Sequence, residues 1–184
     1  TPEDMREIGL RVLSGEEPYL QNEEEFFQYF TGPEDKEKFK DALKKAFLRK
    51  KEPLSLGHID SHGKLLSEEE KAEIFRERIK VLPKDGIGYL EMMFKYLTPE
   101  EVHQNIVEAI RRKESDFYNW NWRTVLEKKI LTPEEEKEMW QVAVEIRPTL
   151  ALAYINEYLE LFPESERQQV LLEVVERAGP QAAI

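Results

Sequence analysis

The chain has 184 residues, of which 38 are acidic and 27 basic, and its formal charge is -11. A hydrophobic content of 40% supports a folded core and argues against a disordered chain. The absence of cysteine excludes disulfides, thiolate metal sites and cysteine nucleophiles. No apolar run reaches the roughly 18 residues of a membrane-spanning helix, and the first residues show no signal-peptide pattern. We therefore expect a soluble, intracellular chain, and its start without Met leaves open whether Thr1 results from processing.

The first 65 residues are predicted to form a less regular helical segment. Apolar periodicity predicts helices over 2–13 and 33–50. Residues 51–64 contain Pro53, Gly57 and Gly63, which cannot continue the helical phase. This stretch is predicted to be an exposed loop.

A phrase of Leu or Phe, Ser or Thr, often Pro, and Glu occurs five times, beginning at Phe30, Leu66, Leu97, Leu131 and, degenerately, Leu161. The clearest copies are Leu97-Thr98-Pro99-Glu100-Glu101 and Leu131-Thr132-Pro133-Glu134-Glu135. Ser or Thr as N-cap with Glu three residues later satisfies free backbone N–H groups at a helix start. The phrases predict repeated helical hairpins over 66–96, 97–130 and 131–160, followed by a terminal helix over 164–178. Residues 66–184 would form this repeat region.

Two core positions follow each phrase at constant distances, nine and thirteen residues on. Because they are four residues apart, they lie on one helical face. The first set is Phe39, Phe75, Ile106, Trp140 and Val170, and the second is Leu43, Ile79, Ile110, Val144 and Val174. The predicted fold is all-α, an irregular array of stacked helical hairpins in one domain.

The segment from Ala143 to Pro148, with Tyr154 six residues later, resembles the junction between tetratricopeptide repeats. In that family the pattern A-x-E-x-x-P precedes an aromatic residue at this distance, and Pro83 with Tyr89 has the same spacing. The resemblance covers residues 83–178. It implies a curved stack of helical hairpins that binds protein segments and has no catalytic centre.

A candidate metal site lies in the predicted loop, where His58, Asp60 and His62 alternate along the chain. In an extended segment the three side chains would share one side, and imidazole and carboxylate groups are ligands for zinc or iron. The alternative is a surface turn built from short polar residues. The sequence leaves both interpretations open.

Residues 36–51 hold eight Lys or Arg against Glu37 and Asp41, a local charge of +6. The apolar residues of this helix follow the repeat phase, so its lysine face is expected to be solvated or to pair with acidic groups of this chain or of a protein partner. Membrane contact would be peripheral at most, through helix 33–50. Nucleic acid is disfavoured because a chain of this negative charge repels polyanions.

Four aromatic residues crowd the segment Phe117 to Trp122 and cannot all face inward on an α-helix. Trp120 occupies the position of Tyr89 and Tyr154, which assigns it to the seam between hairpins. Tyr118 and Trp122 would then point away from that seam and serve as partner-binding anchors. The alternative is that packing within the chain absorbs all four.

The sequence contains no nucleophile elbow, no phosphate-binding glycine loop and no dinucleotide fingerprint. We therefore expect no enzymatic activity and no cofactor. The favoured function is a non-catalytic interaction module, a scaffold, assembly factor or accessory subunit, whose partners are proteins within a larger complex. The alternative is a helical metal-binding protein or metal-dependent hydrolase that uses His58, Asp60 and His62.

Overall fold

The computed structural model describes residues 1–15, 27–49, 55–60 and 66–179, without the side chain of Trp120. These residues form helices and their connections, and no strand occurs among them, so the predicted all-α fold is confirmed. No helix in these ranges is long and apolar enough to cross a membrane. The chain divides into two compact units, Thr1–Leu97 and Thr98–Ile184.

The first unit contains five α-helices and one short 3-10 helix among its described residues. The α-helices are α1 (Pro2–Ser14), α2 (Pro33–Leu48), α3 (Glu68–Val81), α4 (Pro83–Gly88) and α5 (Leu90–Tyr96), and the 3-10 helix is Leu56–His58. The second unit contains six described α-helices and one π-helical segment. They are α6 (Pro99–Arg111), the π-helix Phe117–Asn121, α7 (Trp122–Glu127), α8 (Pro133–Ile146), α9 (Pro148–Ala153), α10 (Ile155–Glu160) and α11 (Glu164–Ala178).

Helices α3, α6 and α8 begin where the recurring phrase predicts. Each has a complete capping box, in which the N-cap hydroxyl accepts the N3 backbone N–H and the N3 Glu accepts the N-cap N–H. Helices α2 and α11 lack a side-chain cap because Gly32 and Pro163 occupy their N-cap positions. The phrase therefore predicts all five helix starts, although only three carry the side-chain bonds.

The core positions deduced from the sequence lie in the interior. All ten are buried except Val170, which is partly exposed. In the first unit α2 packs on α1 and on α3, and in the second unit α8 packs on α6, α9 and α11. The period of four residues thus identifies the faces that these helices bury.

The second arm of the predicted hairpins is not a single helix. It breaks at Tyr89 between α4 and α5, and at Tyr154 between α9 and α10. Pro83 and Pro148 each occupy the first position of the preceding short helix, where the missing N–H costs nothing. Between α6 and α7 the chain forms a π-helical segment instead.

A buried arginine ties three elements of the first unit together. Arg78 on α3 is 3% exposed, and its guanidinium donates to Asp85 on α4 from Nε at 2.7 Å and from the second terminal nitrogen at 2.5 Å. The other terminal nitrogen donates to the carbonyls of Phe47 and Arg49 at the end of α2. One side chain therefore satisfies both a carboxylate and the free carbonyls of a helix C-terminus.

The loop predicted over 51–64 is described only for residues 55–60. There the backbone forms the 3-10 helix, and Leu56 and Ile59 are 1% and 0% exposed. The expectation of a fully exposed loop is wrong for these two residues, since their apolar side chains enter the core of the first unit. The other residues of the stretch lie outside the described part of the chain.

Candidate interaction surface

The carboxylate proposed as a metal ligand is already occupied. Oδ1 of Asp60 accepts a hydrogen bond from Nζ of Lys95 at 2.6 Å and one from the hydroxyl of Tyr96 at 2.5 Å. His58 is exposed, and His62 lies outside the described residues. Within the described ranges no three His, Asp or Glu side chains come together as a possible metal site.

Asp60 connects its loop to α5 through its hydrogen bonds with Lys95 and Tyr96. The hydrogen bonds from Lys95 and then from Tyr96 lower the pKa of the Asp60 carboxyl. Burial, and then the bond to Asp60, raises the pKa of Tyr96 to about 12. Because the side chain of Asp60 is 48% exposed, this contact contributes modestly to stability.

We predict that Asp60→Asn lowers the melting temperature at pH 7 by no more than a few degrees. Since the pKa of Asp60 is lowered in the folded state, its contribution is present above the unfolded pKa of about 4 and is lost as the pH falls below it. Melting temperatures of the variant and the parent should converge as the pH falls through the unfolded pKa of about 4 and then through the lower pKa that Asp60 has in the folded state. Asp41→Asn, at an exposed carboxylate without an ion pair to the described residues, is the control. A pH-independent difference would contradict the assignment.

Tyr118 and Trp122 were predicted as exposed anchors, and this prediction is wrong. They are 1% and 7% exposed. The hydroxyl of Tyr118 donates to the carbonyl of Met139 on α8, and the ring of Trp122 lies 5.4 Å from that of Trp140, also on α8, and 4.6 Å from that of Tyr154. Both residues thus lie on the side of this segment that packs on α8.

The apolar surface that the structure does expose lies on α11. Among the described residues five large apolar side chains are exposed, and three of them are on this helix. Leu171, Leu172 and Val175 are 36%, 56% and 46% exposed. At about 100° per residue they fall within one third of the helix circumference and form a continuous line, here called the α11 stripe.

No protein-family profile matches the chain, and no curated protein or solved structure is significantly similar to it. The tetratricopeptide resemblance therefore stays a prediction. The candidate surface is assigned from geometry alone.

A groove runs along the other side of α11, against α8 and α10. It has a volume of about 440 Å³, and its floor includes the buried side chains of Val144, Tyr158 and Phe162. Burial, with a smaller effect of the Glu173 carboxylate, raises the pKa of Tyr158 to about 12. At the rim Glu173 pairs with Arg177 at 3.2 Å. The groove thus has an apolar floor, and its charged groups are the carboxylates of Glu145 and Glu173 and the guanidinium of Arg177.

The stripe is held on a rigid support. Val174, which lies about 60° around the helix from Leu171, is 1% exposed and packs α11 onto the rest of the second unit. Tyr158 and Phe162 stack edge to face at 5.0 Å beneath the helix, and Trp140 lies 5.8 Å from Tyr158. An aromatic floor of this kind fixes the orientation in which the stripe meets solvent. The recurring phrase and its core positions do not predict this surface.

Proposed function

We propose that this chain is a non-catalytic interaction module of a larger protein complex and that it binds a protein partner through the α11 stripe. The observation that carries the proposal is the exposure of Leu171, Leu172 and Val175 on one side of a single helix. Isolated apolar residues are normal on protein surfaces, whereas contiguous ones are typical of interaction sites.

Contact with an apolar partner surface would lower the free energy of the α11 stripe. Burying apolar area is worth about 25 cal/mol per Å², so covering most of two exposed leucines and a valine supplies a few kcal/mol. This energy is gained without a large ordering cost because the stripe belongs to a formed helix. The flanking residues Glu164, Gln168 and Glu176 are polar and exposed, and they would form the rim of such a contact.

The test compares two variants of α11 that each add one carboxylate. Leu172→Glu places it in the stripe, and Gln169→Glu places it on the polar side of the same helix. Both residues are exposed, so both variants should melt close to the parent. The tagged proteins are used to capture partners from the cells that make the chain, with quantification by mass spectrometry.

We expect the parent and Gln169→Glu to retain the same specific proteins, and Leu172→Glu to lose them by about tenfold or more. A charge buried against an apolar partner surface has no compensating group, and this cost appears only at the interface. Equal recovery with both variants would contradict the proposed surface.

A further inference from the structure

A second groove lies in the first unit, between the C-terminal half of α1 and one side of α2. Its volume is about 460 Å³. The apolar part consists of Leu10, Leu13 and Ala42, and the cationic part consists of Lys38, Lys45 and Arg49. Lys38, Ala42 and Lys45 on α2 and Arg49 at its C-cap recur at helical spacing. They extend over 11 residues, which corresponds to about 16 Å of groove, or three turns.

The two sides of α2 differ in how their cations are balanced. On the side facing α3, Nζ of Lys40 and Nζ of Lys44 lie 3.6 and 3.1 Å from the carboxylate of Glu70. On the groove side, Lys45 has no ion pair with the described residues. Lys38 has only an exposed contact to Glu34 at 3.4 Å, of the kind that contributes little. Asp41 is the one acidic residue among the described residues of the lining, which together carry a charge of +2.

Arg49 places a fixed cation at the end of the groove. Its backbone carbonyl accepts from Arg78, which holds the base of the side chain in place. A terminal nitrogen of the guanidinium occupies the space that a Cβ atom would take at Gly15. Gly15 has a φ of 83°, in the left-handed region that favours glycine. Nε of Arg49 is enclosed and has no hydrogen-bond partner among the described residues. A buried donor of this kind is costly to leave unsatisfied.

We propose that this groove binds an acidic amphipathic helix of a partner protein. Apolar side chains at helical spacing would cover Leu10 and Ala42, the partly exposed apolar residues of the lining, and carboxylates beside them would reach Lys38, Lys45 and the Arg49 guanidinium. Charge complementarity selects this occupant, because a +2 groove on a chain of charge -11 attracts a local carboxylate while the rest of the surface repels long polyanions. Leu13 is 2% exposed and belongs to the core of the first unit, so Leu10 and Ala42 supply the apolar contact area of the groove.

The probe is a fluorescein-labelled amphipathic peptide of about 15 residues, with Leu at positions i, i+3, i+4 and i+7 and Glu on both flanks. A second peptide keeps the leucines and carries Lys in place of Glu. Binding to the full chain is measured by fluorescence anisotropy at low and high salt. Phosphatidylserine vesicles and the sedimentation behaviour of the chain alone test the lipid and self-association alternatives.

We expect saturable binding of the acidic peptide that weakens with salt, and little binding of the basic peptide. The double variant Lys38→Glu, Lys45→Glu should lose the acidic peptide by about tenfold or more and gain affinity for the basic one. Lys84→Glu, an exposed change on α4, should bind as the parent does. If the double variant binds the basic peptide in preference to the acidic one, its groove is still formed and the variant is folded.

Three results would overturn the proposal. The first is equal binding of the acidic and basic peptides, or no binding of either at high-micromolar concentration. The second is binding of the acidic peptide that survives the double charge reversal. The third is a parent that does not bind the acidic peptide but binds vesicles or associates with itself, when the double variant has lost that vesicle binding or self-association.

Discussion

Replacing Arg78 by Met should destabilise the first unit by about 3–5 kcal/mol, the cost of breaking a buried ion pair by removing one partner. The change leaves the carboxylate of Asp85 and the carbonyls of Phe47 and Arg49 without their donor. Arg78→Lys should recover little, because one ammonium group cannot reach a carboxylate and the end of α2 together. Urea unfolding followed by circular dichroism gives the free energies.

The control for Arg78 is Lys80→Ala, two positions along α3, where an exposed lysine pairs with Glu77 at 2.7 Å. We expect a change within about 0.5 kcal/mol there. Adding Asp85→Leu to Arg78→Met should restore part of the lost stability, since it removes the unpaired charge. Equal unfolding of Arg78→Met and Lys80→Ala would show that the arginine network does not stabilise the fold.

Replacing Trp140 by Ala should destabilise the second unit by about 3–5 kcal/mol. The side chain is 0% exposed, and it contacts the rings of Trp122 at 5.4 Å and Tyr158 at 5.8 Å. The substitution removes the largest fully buried side chain among the described residues and leaves a cavity between α8 and the arm formed by α9 and α10. Chemical unfolding monitored by the near-ultraviolet signal of the remaining tryptophans measures the loss.

Trp140→Phe is expected to cost clearly less than Trp140→Ala, because it retains a ring between the two neighbours. Gln141→Ala, at the exposed next position, should change the free energy of unfolding by about 0.5 kcal/mol or less. If the alanine variant at Trp140 unfolded like the one at Gln141, the aromatic cluster would not be the core of this unit.

The helix starts could be predicted from sequence because capping acts within four residues. Thr98 with Glu101 and Thr132 with Glu135 each form the reciprocal bonds that the pattern implies. The core positions were also predictable, since a helix buries residues four apart whatever it packs against. Phe39, Leu43 and Ile110 are accordingly buried.

The orientation of Tyr118 and Trp122 could not be predicted from the repeat spacing. The alignment of Trp120 with Tyr89 and Tyr154 assumes an α-helix through this segment. The segment Phe117–Asn121 forms a π-helix instead, in which the hydrogen bonds span five residues. The faces of a π-helix do not follow the α-helical angle per residue. The pair Tyr118 and Trp122 faces α8, although the alignment assigned that role to Trp120. Local sequence carries no signal for such a change of helix type.

The α11 stripe was missed for a different reason. Five of the six residues from Val170 to Val175 are apolar, more than one helix face can bury. The excess was visible in the sequence and indicated that some of these side chains stay exposed. Only the packing of α11 on α8, α9 and α10 decides that Val174 enters the core and Leu172 does not.

The most direct test of the proposed function is a calorimetric titration of the partner recovered with the parent chain. The parent, Leu172→Glu and Gln169→Glu are each titrated into this partner. Both variants are first shown to have the melting temperature of the parent. We expect Leu172→Glu to raise the dissociation constant by about tenfold or more, equivalent to about 1.4 kcal/mol, and Gln169→Glu to leave it unchanged. Equal dissociation constants for all three proteins would contradict the proposed function.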